Sequence, residues 1–310
     1  MPILKEFRYL SNDKRTELYA RGFLPDGEMK GIVQIVHGVA EYSNRYDEFM
    51  KFLAEKGYGA FADDHLGHGQ SVKEEEDRGF FAESDGWNIV VKDLKSLHEK
   101  IKEEYPDKPM FLLGHSMGSF LSRTYIIDYP NDHKGVILSG TGQQSGLIVS
   151  VGKILAEKEC KKHGARYQSQ KLQKTAFGSY NKLFKPQRTE FDWLSRNEEN
   201  VDAYIADPLC GAVSSAGLFR DMMGGLKYIS KLTNLMQMNK KMPVLFISGK
   251  LDPVGDYGKG VLNAAFKFKT AGMKDVKVEL YEDDRHEILN EVDKEKVYKD
   301  VINWIEEHNK

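Results

Sequence analysis

The chain has almost no cysteine chemistry. Cys160 and Cys210 are the only two in 310 residues, too few for a disulfide framework and without zinc-ligand spacing, so both are expected as free thiols. It also has no excess of charge of either sign. Forty-five Lys and Arg oppose forty-seven Asp and Glu, a formal net charge of -2, which excludes a global field that would gather nucleic acid or an anionic membrane. Long apolar runs are missing as well. No window approaches the roughly eighteen consecutive apolar residues of a membrane-spanning helix, so any contact with lipid is expected to be peripheral. The opening stretch, Met1 to Phe23, mixes charge into every turn and lacks the apolar run and small-residue cleavage site of a signal peptide; the expectation is a cytoplasmic protein. Internal repeats, low-complexity tracts and flexible linkers are absent too.

What is present is 40% hydrophobic and 11% aromatic content, enough for a large core in one domain carrying an insertion. Short apolar runs alternate with longer segments of helical period, the pattern of an α/β protein with a mostly parallel sheet. The runs Ile32 to Val36, Tyr58 to Ala62, Met110 to Leu113, Val136 to Leu138, Val244 to Ile247 and Val276 to Leu280 are predicted parallel strands. Glu6 to Tyr9 and Glu17 to Phe23 are predicted as an antiparallel hairpin in front of them. Tyr46, Phe49, Phe52 and Leu53 mark a helix over Arg45 to Lys56, and Ile89, Val90, Leu94, Leu97 and Ile101 mark a longer one over Trp87 to Tyr105. The rhythm breaks between about Gly142 and Lys240, where the pattern is helical and irregular. Strands bracket that stretch, so it is expected to fold as an insertion over the C-terminal edge of the sheet, with residues 1–141 and 241–310 as the core and 142–240 as a helical cap.

Chemistry concentrates at the ends of the strands. Gly114-His115-Ser116-Met117-Gly118 lies between the apolar run Met110 to Leu113 and a helix whose inner face is Phe120, Leu121, Tyr125 and Ile126. In that context G-x-S-x-G forces a tight turn that holds a serine out at the sheet edge, with small residues keeping neighbouring chains apart. Ser116 is the expected nucleophile, the alternative being a serine that merely caps the helix, and the Met117 N–H is one expected oxyanion donor. His37-Gly38-Val39, after an early strand, suits the second donor, the Val39 N–H; the alternative is that Gly38 only serves a turn. For the acid, Asp252 sits in a turn stiffened by Pro253, whereas Asp256 could simply cap a helix over Tyr257 to Phe268. For the base, only His286 and His308 follow Asp252 in the order Ser, acid, His, and His308 is near the chain's end. His286 lies in a charged loop after a strand, where it could otherwise be a surface histidine. Asp63-Asp64-His65 and His68 cluster metal-ligand types without a third ligand pair, so no metal and no cofactor is expected there; a loop-bracing role is favoured.

These motifs together resemble the α/β-hydrolase superfamily, and within it the monoacylglycerol lipase and lysophospholipase-like group, also described as the serine aminopeptidase group. The carriers are His37-Gly38 with Glu41 and Arg45-Tyr46, Asp64-His65-Leu66-Gly67-His68-Gly69-Gln70-Ser71, Gly114 to Gly118, Asp252-Pro253-Val254 and Arg285-His286-Glu287. The resemblance implies an α/β-hydrolase fold with a helical cap, an Asp252–His286–Ser116 triad, and a small-molecule ester or lipid substrate. In that group the insertion is a helical cap with an apolar entrance to the acyl pocket, and Met222, Met223 and Leu226, with Leu235 and Met236, are the candidates to line it, the alternative being ordinary cap core; peripheral membrane contact through the cap is left open. Peptidase, amidase and short-chain esterase chemistry use the same scaffold. A non-catalytic binding protein would be expected to have lost a triad member, and none is missing.

Overall fold

The computed structural model describes residues 1–310. One eight-stranded sheet runs through the molecule in the order β1-β2-β4-β3-β5-β6-β7-β8. β1 (Ile3–Leu10) and β2 (Glu17–Leu24) form the antiparallel hairpin, and β2 joins β4 antiparallel. From there β4 (Tyr58–Asp63), β3 (Gly31–Val36), β5 (Met110–His115), β6 (Gly135–Ser139), β7 (Val244–Gly249) and β8 (Val276–Tyr281) all run parallel. The parallel strands need crossover helices, which cover both faces and explain why β3, β5 and β7 are buried along their whole length.

Side chains alternate between two cores with the period of two that a strand imposes. Ile32, Val36, Met110, Leu112, Val244 and Phe246 face α2 (Gly86–Glu104), α3 (Met117–Asp128) and α9 (Lys259–Thr270). Val33, Ile35, Phe111, Leu113, Leu245 and Ile247 face α1 (Asp47–Glu55) and α10 (Lys294–His308). Each such side chain, fully buried, stabilises the fold by about 1.5 to 3 kcal/mol. The strands and the two long helices fall within a few residues of their sequence predictions. The helix predicted over Tyr257 to Phe268 begins later, at Lys259, because Asp256, Tyr257 and Gly258 all have positive φ and cannot start a right-handed helix.

Between β6 and β7 the chain is almost wholly helical: α4 (Gly146–His163), α5 (Gln170–Phe177), α6 (Glu198–Ala206), α7 (Ala216–Ser230) and the one-turn α8 (Leu232–Leu235). Ser145, Ser169, Asn197 and Ser215 cap α4 to α7, each side chain accepting a first-turn amide, which is worth about 1 kcal/mol per helix. The segment is fastened where it leaves the sheet. Arg123, fully buried on α3, donates to the Gly142 carbonyl and to Gln143 Oε1, both at 2.8 Å. With no carboxylate beside it, burial alone pushes the Arg123 guanidinium down to about 9. α7 crosses α2 at Gly225, where a Cβ would stand 2.1 Å from the Trp87 ring, so only glycine permits this approach.

Candidate active site

β5 ends at His115 and α3 begins at Met117, leaving Ser116 as the single residue of the turn. Its φ of 54° and ψ of -123° lie in a region that costs a non-glycine residue about 1 to 3 kcal/mol. The surroundings hold it there. The Ser116 N–H donates to the Ser139 carbonyl of β6 at 3.0 Å, and its carbonyl accepts from the Ser119 hydroxyl at 2.6 Å. Gly114 and Gly118 let the turn pack: a Cβ on Gly118 would meet the Val36 carbonyl at 2.0 Å, and one on Gly114 would meet Ser122 Oγ at 2.3 Å. The Ser116 hydroxyl makes no hydrogen bond within the protein and opens into a cavity of about 1150 Å³.

Asp252 and His286 come from loops after β7 and β8 and meet above the sheet edge. Asp252 Oδ2 accepts from His286 Nδ1 at 2.9 Å; its Oδ1 accepts the Val254 N–H at 2.8 Å and Ser248 Oγ lies 3.3 Å from Oδ2. Both side chains are buried. A carboxylate can only accept, so Nδ1 carries the proton and Nε2 is left with its lone pair free. Burial works against a charged His286 ring, but the Asp252 charge and hydrogen bond, with the nearby Glu287 and Glu41 carboxylates, together raise the imidazole above its usual value. The rings of His115 and Trp193 flank it, with centroids 4.6 and 5.1 Å away. Asp256 is exposed on the rim of the cavity and does not touch His286; it does not cap α9 either. His308 lies elsewhere, against Asp275 and the Trp304 carbonyl.

Two backbone amides stand free beside Ser116. Met117 is the first residue of α3, so its N–H has no intrahelical partner. In the loop after β3, the Gly38 N–H is taken by Glu41 Oε1 at 2.5 Å, while the next amide, that of Val39, has no acceptor in the protein. A Cβ on Gly38 would stand 3.0 Å from Ser116 Cβ, so the loop lies directly against the serine. Gly38, Val39 and Met117 line the same cavity as Ser116 and His286.

The far wall comes from the helical segment. Met222, Met223 and Leu226 on α7 line the cavity with Val149 and Leu155 of α4 and Leu172 of α5. Leu235 and Met236, predicted on the same wall, are not part of it. Leu235 is fully buried in the core and Met236 is 60% exposed, because α8 turns away from α7 at Lys231. The Asp63 to His68 loop is braced against its neighbours: Asp64 accepts the Ser43 and Gln70 amides at 2.9 and 2.7 Å, and the His65 ring stacks on His37 at 3.8 Å. Asp284, Glu291 and Asp293 bring three carboxylates together, and the Arg196 guanidinium already fills that place.

Sequence reasoning missed several neighbours of the site. Trp193 packs on His286, and its carbonyl and that of Leu194 accept the His286 and Glu287 amides at 3.4 and 2.7 Å. Arg45 bridges Glu41 and Glu287. Glu41, Arg45 and Glu287 stood in the motifs that carry the family resemblance but had no assigned role, and Asn200 and Tyr204 gave no signal at all.

Comparison with known proteins agrees with this architecture. The family described as serine aminopeptidase, S33 (Hydrolase_4) matches residues 27–293. Mouse monoglyceride lipase is 28% identical over 306 residues, 97% of this chain and 90% of the relative. The monoacylglycerol lipase of Mycolicibacterium smegmatis is 27% identical over 291 residues, 92% of this chain and 91% of its own length. Among solved structures, a thermostable carboxyl esterase from Bacillus coagulans in complex with glycerol superposes with a TM-score of 0.92 at 26% identity, covering 99% of both chains. A soluble variant of monoglyceride lipase from Saccharomyces cerevisiae, 21% identical, shares the fold with a TM-score of 0.76 over 99% of this chain and 95% of its own. With the sheet order, the strained serine turn and these likenesses in agreement, the chain belongs to the serine aminopeptidase S33 family of α/β-hydrolases, in its monoglyceride-lipase-like group of ester hydrolases.

Proposed function

We propose that the protein hydrolyses lipid monoesters of the monoacylglycerol or lysophospholipid type through a Ser116–His286–Asp252 triad and an acyl-enzyme. The observation that carries the reading is the Asp252–His286 hydrogen bond beside the unpartnered hydroxyl of Ser116, whose backbone is strained, in one cavity. His286 Nε2 takes the Ser116 proton as Oγ attacks the ester carbonyl and returns it to the leaving alcohol; water then releases the acid by the same route. Asp252 holds the tautomer and stabilises the imidazolium. The Val39 and Met117 amides receive the oxyanion, each donor being worth about 3 to 4 kcal/mol of barrier. This chemistry uses no cofactor or metal.

The lipid character of the substrate is read from the cavity wall. Residues 142–240 act as the cap over a core of 1–141 and 241–310, and Met222, Met223 and Leu226 hold the acyl chain, methionine adapting to a flexible guest. Leu147, Ile148, Val151 and Ile154 of α4 are exposed by 48 to 76%, with Leu147, Ile148 and Val151 at the cavity itself. Exposed Lys158, Lys161 and Lys162 follow on the same helix. An apolar ridge with basic neighbours suits peripheral docking on a lipid surface, delivering substrate to the mouth.

The test is hydrolysis of a p-nitrophenyl ester series from acetate to palmitate, combined with a fluorophosphonate label located by mass spectrometry. Labelling at Ser116 and preference for medium or long chains support the reading. Preference for acetate indicates a small-ester esterase, and absence of both labelling and turnover refutes the triad.

A further inference from the structure

Taking two carboxylates and a guanidinium out of water is costly, so a buried ion cluster is weak evidence for added stability, and in some proteins such clusters fix geometry instead. Glu41, Arg45 and Glu287 form such a cluster beside the cavity, with side chains only 4 to 8% exposed. Arg45 Nε lies 3.5 Å from Glu41 Oε2, and Arg45 Nη2 lies 2.5 Å from Glu287 Oε2. Each carboxylate is tied to a loop that carries site residues. Glu41 Oε1 accepts the Gly38 N–H at 2.5 Å and the Tyr46 hydroxyl at 2.8 Å. That bond anchors the peptide that precedes the one carrying the Val39 N–H; the Gly38 carbonyl of the latter lies 2.7 Å from His37 Nδ1, and the Val39 N–H has no acceptor in the protein. Glu287 follows His286 directly, and its own N–H is held by the Leu194 carbonyl.

The same cluster is closed from outside by one face of α6. Asn200 and Tyr204 are four residues apart, so they project together. Asn200 Nδ2 donates to Glu287 Oε2 at 2.7 Å, and Asn200 Oδ1 accepts from Arg45 at 3.0 Å. The Tyr204 hydroxyl donates to the Ala40 carbonyl at 3.0 Å, its ring lies 5.0 Å from the Arg45 guanidinium, and the Gly211 amide donates to the same carbonyl at 2.9 Å. Ala40 has a φ of 58°, a left-handed conformation that alanine keeps only when its surroundings hold it. Two donors from the helical segment supply that hold.

We propose that Glu41, Arg45 and Glu287, with the Asn200–Tyr204 face of α6, are positioning residues that lock the Val39 loop and the His286 loop into mutual register, so that docking of α6 assembles the site and governs turnover rather than substrate affinity. The inference rests on the triad reading above. A loop displaced by about 1 Å can cost about a hundredfold in rate with little change in binding.

The test uses the full-length protein with Glu41→Ala, Glu41→Gln and Tyr204→Phe, measuring kcat and KM on p-nitrophenyl butyrate, the rate of fluorophosphonate labelling at Ser116, and Tm. Glu41→Ala is expected to lower kcat by about 30- to 100-fold, with KM within about threefold and labelling slowed in parallel, at temperatures well below unfolding. Glu41→Gln keeps an oxygen for the Gly38 amide and the Tyr46 hydroxyl but turns an NH₂ toward Arg45 Nε in place of Oε2, so it is expected to recover part of the loss, ending about five- to tenfold below the unaltered protein. Tyr204→Phe, which loses only the bond to Ala40, is expected to lower kcat by about three- to tenfold. If Glu41→Ala does not fold, Tyr204→Phe decides the matter. Unchanged kcat with a lowered Tm in the folded variants would make the cluster purely structural and overturn the inference. No labelling of the unaltered protein would instead overturn the triad reading itself.

Discussion

Replacing Asp252 by Asn changes a single atom type at the centre of the site, and the outcome follows from who can donate to whom. Asp252 Oδ1 accepts the Val254 N–H at 2.8 Å and Oδ2 accepts His286 Nδ1–H at 2.9 Å. Asparagine keeps the Val254 bond only by presenting its oxygen there, which turns its NH₂ toward His286. The ring then offers Nδ1 as the acceptor and carries its proton on Nε2, where it cannot accept one from Ser116. The alternative rotamer gives up the Val254 bond in a buried place, a loss of about 1 to 3 kcal/mol. The wrong tautomer typically costs a serine-triad enzyme about 10⁴-fold in kcat, or about 5.5 kcal/mol of barrier. The protein should still fold, because the backbone geometry is retained.

The pH profile supplies a second readout. Burial disfavours the charged His286 ring, while Asp252 first, then Glu287 and Glu41, raise it above its usual value. In the proposed mechanism the base acts in its neutral form, so turnover of the unaltered protein should fall on acidification at a pH higher than an ordinary imidazole would give. In Asp252→Asn the strongest raising partner is gone while burial, Glu287 and Glu41 remain, so residual activity should persist to lower pH. Asp256→Asn, on an exposed rim residue, should stay within a fewfold of the unaltered rate. Kinetics on p-nitrophenyl butyrate from pH 5 to 9 check all three statements. A rate for Asp252→Asn within tenfold of normal, or greater damage from Asp256→Asn, would refute the choice of acid.

Ser116→Ala should fold normally and lower ester turnover by several powers of ten, which a turnover assay beside a thermal melt will show; near-normal turnover would remove Ser116 as nucleophile. Gly118→Ala pushes a methyl to 2.0 Å from the Val36 carbonyl, and should destabilise by about 1 to 3 kcal/mol or more in urea unfolding; an unchanged midpoint would mean that the turn relaxes freely. Leu226→Trp should fill the wall that α7 presents to the cavity, lowering kcat/KM for palmitate by about tenfold or more relative to butyrate. An unaltered chain-length profile would place the acyl chain elsewhere.

The parts of the fold that the sequence made legible are those written in local periodicity. Ile32 to Val36 is a short apolar run that stops at His37-Gly38, and Leu94, Leu97 and Ile101 along α2 repeat at helical spacing, so strand and helix could be assigned before any contact was known. The serine turn was legible for a related reason: Gly114, Ser116 and Gly118 sit within five residues, and the strain at Ser116 is a local requirement. Asp252 and His286 were reached through chain order and their places after strands, and the sheet brings them to 2.9 Å.

Boundaries that depend on a few φ values were less accessible. Three consecutive left-handed residues at Asp256, Tyr257 and Gly258 delay α9, and nothing in the apolar spacing of that helix announces them. Leu235 and Met236 share composition with the α7 wall, but the turn at Lys231 sends one to the core and the other to the surface.

What only tertiary structure decided is how distant loops are held to one another. Tyr204 and Ala40 are 164 residues apart, and Arg45 and Glu287 are 242 apart. A charge or a hydroxyl in sequence carries no address for its partner: hydrogen bonds and ion pairs have short reach and strict direction, so they form only where packed apolar cores have already set backbones side by side. The sequence by itself determined which elements form and which residues have the chemistry for a site; the packing of α6 against the β3 and β8 loops decided which of them meet.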